Sequence, residues 1–143
     1  MDSIQLPLSQ PEDPLFGPII YAYTRTQALT DGVLVEVTET AREVGFKLPV
    51  AITEALHNRL IPTKADAGLG QDYDGRLWDM LWIAALYIKL ADPGTDTVTF
   101  TVVLQEAEGK SGLPQNINLR LRAVYGPGDE GEPVFTIGFP EDF

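Results

Sequence analysis

The chain contains no cysteine and a single histidine, His57. The first absence removes disulfides, thiolate zinc sites and cysteine nucleophiles together. The second leaves any metal site dependent on carboxylates for its other ligands, an uncommon set for zinc. Basic residues are scarce: 10 Lys and Arg stand against 21 Asp and Glu, a formal net charge of −11. Phosphate backbones would be repelled at long range, which argues against direct nucleic-acid binding. No hydrophobic run approaches the ~18–20 residues that cross a bilayer. The densest one, Leu77 to Leu90, is broken by Asp79 and Lys89. The opening MDSIQLPLSQPEDP carries acid where a signal peptide carries base, so the expected location is cytoplasmic. Serine occurs only at Ser3, Ser9 and Ser111, and none sits in the strand-to-helix elbow of a hydrolase nucleophile. The glycines of GPGDEG lie in an acid-rich turn, which would repel phosphate.

What is present is the material of one globular domain. The chain has 143 residues, of which 44% are hydrophobic and 22% charged, enough to bury a single core. Pro7, Pro11 and Pro14 with little apolar periodicity predict a flexible N-terminal tail over 1–15 and one α+β domain over 16–143. IIYAY (19–23) and VLVEV (33–37) read as strands. Thr24 with Gln27 forms a capping-box pattern for a short helix that stops at Gly32. Thr38 caps a second short helix ending at Gly45, and Thr53 a third ending before Pro62. PTKADAGLGQD (62–72) reads as a loop. A long helix follows from Asp74 to about Leu90. TVTFTVVLQEAE (97–108), NINLRLRAVY (116–125) and VFTIGF (134–139) then alternate as strands. The expected fold is α+β: an antiparallel sheet with a C-terminal three-stranded meander packed against one long apolar helix, with short helices in the N-terminal half.

Within that helix, DGRLWDMLW (74–82) sets two tryptophans four residues apart. Helical spacing places Leu77, Trp78, Leu81, Trp82, Ala85 and Ile88 on adjoining rows and leaves a narrow polar strip, which predicts burial on most sides. On that reading both indoles are core volume, each costing ~3–5 kcal/mol on truncation to alanine. Asp72 or Asp74 would cap the helix, and Arg76 would pair with Asp79 on the strip.

Other motifs carry less. DYDG has acids at alternate positions before a glycine, as a calcium loop does, but that register puts Gly70 and Leu81 at the outer ligand positions. Glu54 and His57, three apart on a helix, form half a metal site at most; the bland reading is a surface or cap histidine. Arg120 and Arg122 share the outward face of one strand, with Gln105 or Glu106 as expected cross-strand partners. The expected catalytic, cofactor-binding and metal residues are therefore none. The candidates for a pocket between the short helices and the sheet are Tyr21, Tyr23, Arg25 and Glu36.

Two stretches, TRTQALTDGVLVEVTETAREVGFKLPVAIT and DGRLWDMLW, together resemble a family of small uncharacterised proteins encoded on bacterial plasmids, phages and other mobile elements. The likeness spans roughly 23–90, and GPGDEGEPVFTI also fits. It implies no activity and no site residues. It implies a setting, an accessory protein of mobile DNA in a bacterial cytosol.

The leading expectation is a non-enzymatic acidic protein that binds a host protein with a basic surface, as an anti-defence or regulatory inhibitor. A small enzyme using the Tyr21, Tyr23, Arg25 and Glu36 cleft is the first alternative. A structural homodimer, pairing through a sheet edge or an apolar patch, is the second. No cofactor and no membrane contact are expected.

Overall fold

The computed structural model describes residues 23–143. The predicted tail over 1–15, most of the IIYAY strand and Tyr21 lie outside the described residues. The elements run α1 (Arg25–Thr30), β1 (Leu34–Glu36), α2 (Thr38–Val44), β2 (Val50–Thr53), α3 (Glu54–Leu60), α4 (Lys64–Gly68), α5 (Tyr73–Leu90), β3 (Thr97–Ala107), β4 (Pro114–Pro127) and β5 (Pro133–Gly138). A short 3-10 turn, Pro140–Asp142, follows.

The helix ends obey local chemistry. Thr24 accepts from Gln27 N while Gln27 reaches back to the Thr24 backbone, the reciprocal cap its spacing predicts. Gly32 takes φ +78°, a left-handed turn that ends α1 at little cost for glycine. Thr53 caps α3 through Leu56 N, and Asp72 caps α5 through Gly75 N. Thr38 is a departure. The N-cap of α2 is Val37, and the Thr38 hydroxyl accepts instead from Val50 N at 3.1 Å and lies against the Glu36 carboxylate, tying β1 to β2.

Five strands form one sheet in the order β1-β2-β5-β4-β3. The expected antiparallel sheet is in fact mixed, because β2 pairs with β5 in parallel. The turn after β4 fixes the direction of β5, and β2 meets it across a long connection, where no tight hairpin forces antiparallel pairing. Along β3 and β4 the register sets Val98, Phe100, Val102 and Leu104 opposite Ala123, Leu121, Leu119 and Ile117, so the alternation puts one apolar face inward. Val50, Ile52 and Ile137 extend that face. Leu77, Met80 and Leu81 of α5, Ala41 of α2, and Leu56 and Leu60 of α3 close over it as the core.

The 62–72 loop is also corrected. It contains α4, whose Thr63 and Asp66 form a capping box. Asp66 is buried and accepts from Ala107 N at 2.8 Å as well as from Thr63 N at 3.1 Å. Arg76, expected on a polar strip with Asp79, is buried instead. It donates to Gln105 O at 2.7 Å and Leu60 O at 3.4 Å, and its guanidinium stands 3.4 Å from the Asp66 carboxylate. One ion pair therefore ties α3, α4, α5 and the end of β3 together. The Ala107 amide, then Thr63 and the Arg76 charge, hold the Asp66 carboxyl below its usual range against the opposing pull of burial. Glu106, expected beside Arg120 and Arg122, pairs with Arg59 instead. Arg120 and Arg122 sit opposite Thr101 and Thr99.

Candidate functional site

The sheet's second face, away from α2 and α5, carries a broad cleft that the first residues of α3, Glu54 and Ala55, also line. The β4–β5 turn projects Asp129 toward the start of α1, where helical N–H groups lack intrahelical partners. Its carboxylate accepts from Arg25 N at 2.7 Å, Thr26 N at 3.0 Å and the Thr26 hydroxyl at 2.6 Å. Those donors, the hydroxyl first, hold the Asp129 carboxyl below its ordinary range. So anchored, α1 lays the Arg25 side chain across the sheet, donating to the Thr136 hydroxyl at 2.8 Å and to Phe135 O at 3.0 Å. Burial draws the Arg25 pKa down, opposed by the fields of Glu36, Asp129 and Glu132. Tyr23 donates to Asp31 at 2.8 Å, and that bond pushes its phenol pKa up.

The far wall is the Thr53–Asp142 contact. The Thr53 hydroxyl donates to the Asp142 carboxylate at 2.7 Å, and Phe139 N donates to the same oxygen at 2.9 Å. Gly138 makes this approach feasible: a Cβ there would lie 2.5 Å from Thr53 and 2.8 Å from Asp142. Between the walls is a cleft of about 1110 Å³ with Ala28, Val33, Leu34, Val124 and Val134 in its lining. Tyr23, Arg25, Thr53 and Asp142 already hold hydrogen bonds within the protein, so what the cleft offers an occupant is mostly apolar surface with the Glu54 carboxylate at its side. Among the described residues no histidine or serine lines it.

Of the pocket candidates, Tyr23 and Arg25 both line this cleft. Glu36 does not; it is exposed on β1, engaged by the Thr38 hydroxyl, and reaches Arg25 only through its field. Thr53, Thr136 and Asp142 were not singled out by sequence reasoning. The cap position of Thr53 was legible, but its second role depends on Asp142, 89 residues away. His57 is half-buried in the last turn of α3, near the helix end as expected, with its Nδ1 2.7 Å from the Tyr73 hydroxyl, and it is not part of the cleft. Among the described residues no group of three or more His, Cys, Asp or Glu side chains could hold a metal ion.

A second surface emerges on α5. Leu77 and Leu81 are buried as expected, and Ala85 and Ile88 pack against the core as partly buried residues. Trp78 and Trp82 are not core. They are 39% and 48% exposed and point away from the sheet, as do Leu86 and Leu90. These four recur every fourth residue, so they form one outward ridge. Asp79 and Lys89 flank it, and α2 alongside exposes Glu39, Arg42 and Glu43. The helix is apolar on two sides while the sheet covers only one. Its composition therefore mimics a fully buried helix.

No helix among the described residues is long and apolar enough to cross a membrane. No curated protein and no solved structure matches the chain. A profile described as "Family of unknown function (DUF6573)" matches residues 16–143, and the chain therefore belongs to the DUF6573 family.

Proposed function

We propose that this is a non-enzymatic binding protein that docks a host protein partner through the outward ridge of α5. The observation that carries the reading is the pair Trp78 and Trp82, both well exposed on a rigid helix. Tryptophan is enriched at the energetic centres of protein interfaces, and a contiguous exposed apolar ridge on a soluble chain marks an interaction site. The net charge of −11 favours a partner with a basic surface and speeds their encounter. The setting that fits is a bacterial mobile element whose product acts in the cytoplasm as an anti-defence or regulatory inhibitor. The test is capture of host protein by the intact chain and by Trp78→Ala/Trp82→Ala. The reading expects a specific band that is lost with the indoles and slows in its association as salt rises. A band indifferent to both changes counts against it.

The cleft gives a second reading its footing, because Tyr23 and Arg25 meet there on an apolar floor. On that reading the chain is a small ligand-binding protein or enzyme. A set of apolar amphiphiles screened by thermal shift would stabilise the native chain but not Val124→Asp. No stabilisation by any of them removes this reading.

A further inference from the structure

The sheet has two very different edges. β1, at one edge, is three residues long, and shortness is itself a protection against stray pairing. β3, at the other, is eleven residues long, and among the described residues no strand lies beyond it. Its register with β4 runs unbroken from Thr97↔Val124 to Ala107↔Pro114, so no bulge twists the edge away. Residues 97–105, TVTFTVVLQ, contain no proline, lysine or other charge. The far end of this edge is closed, because Arg76 holds Gln105 O and Asp66 of α4 holds Ala107 N, but from Thr97 to Val103 it is unbulged, rich in β-branched residues and uncharged, and lacks the devices by which natural sheets avoid pairing. Nor does α5 cover it: a groove of about 300 Å³ runs between the helix and the strand, with Asp79, Met80 and Ile83 on one side and Thr101 and Val103 on the other. Val103 is 63% exposed on the wet face of the strand.

We propose that β3 is a homodimer seam, pairing antiparallel with β3 of a second copy about a two-fold axis at Thr101, to give a continuous ten-stranded sheet. Two features favour a second copy over another extended partner. First, the segment is self-complementary about Thr101. That register sets Phe100 against Val102 and Val98 against Leu104 on the apolar face. On the wet face it sets Thr101 against its own copy and Thr99 against Val103, and the ladder stops short of Gln105, whose carbonyl Arg76 holds. Any antiparallel register centred on a residue keeps each pair on one side of the pleat; what this segment adds is that no charged side chain meets its like across the seam. Second, two chains of −11 repel at long range, and a seam over a stretch with no charged side chain adds no close like-charge contact to that repulsion. This seam is separate from the outward ridge of α5 and does not depend on the binding proposed there.

The experiment is sedimentation velocity of the full chain across the micromolar range, with two variants. The native chain is expected to be dimeric. Thr101→Lys puts two ammonium groups side by side on the axis while altering only an exposed side chain of the monomer, and is expected to sediment as a folded monomer by circular dichroism. Thr101→Cys, in a chain with no other cysteine, is expected to oxidise to a covalent dimer, and Val103→Cys, which faces Thr99 of the partner, at least about tenfold more slowly because the paired sulfurs are out of reach. A native chain that stays monomeric overturns the proposal. So does a dimer that survives Thr101→Lys, or equal cross-linking at 101 and 103.

Discussion

At the residue scale the decisive groups are Asp66 and Arg76. Their pair is almost fully removed from water, and each also holds backbone groups of other elements. Removing one partner leaves a buried charge unanswered, so Arg76→Ala and Asp66→Ala should each lose about 3–5 kcal/mol in chemical denaturation. Trp78→Ala and Trp82→Ala should each lose about 1 kcal/mol or less, because exposed side chains contribute little to folding. The contrast reverses the ranking expected from sequence. Two carboxylates, Asp66 and Asp129, set the acid limit. Asp66 and Asp129 both have folded pKa values below their unfolded ones. The stability they contribute is therefore complete above the unfolded value, about pH 4, and lost as pH falls through the folded values. An acid titration followed by circular dichroism should show this, and Asp66→Asn should flatten part of the low-pH loss.

At the element scale the sequence was most legible where the signal was local. The Thr24/Gln27 cap, the Gly32 stop and the alternation in 97–108 and 116–125 each depend on neighbours within a few positions. The first two appear as read, and the alternation sorts β3 and β4 into one inward and one outward face. The α4 helix was missed because Gly and Ala dominate ADAGLG, although Thr63 and Asp66 stand at capping-box spacing with Asp in place of the usual Glu or Gln. The parallel β2–β5 pairing was not legible, since nothing in Val50–Thr53 says which distant strand it will meet. Half of the pocket set was readable in the same way: Tyr23 and Arg25 flank a visible cap, whereas Asp129 and Asp142 arrive from the far end of the chain. Asp129 is the test of this element-level account. Asp129→Ala removes three acceptor bonds from the start of α1. It should speed exchange of the Arg25 and Thr26 amides while leaving those of α5 protected. Uniform protection across both helices would show that Asp129 does not anchor α1.

At the scale of the whole molecule, the sheet separates two surfaces. The cleft lies on one face, and the Trp78–Trp82 ridge lies on the outside of the helical layer that covers the other. The ridge was misread as interior because hydrophobicity records what a side chain prefers, not whether a neighbour exists to satisfy it; cores and interface centres draw on the same residues. The net charge of −11 acts at this scale too, and on the proposed function association with a basic partner should slow steeply between low and physiological salt.

The central claim is that the indoles of α5 face outward. The chain has only two tryptophans, so its native tryptophan fluorescence comes from that ridge alone. The most direct measurement is the emission maximum of the folded protein together with its quenching by acrylamide. The account predicts water-like emission, strong quenching in the native state and only a small change on unfolding. A blue-shifted, quencher-resistant native spectrum that moves to the red on unfolding would contradict it.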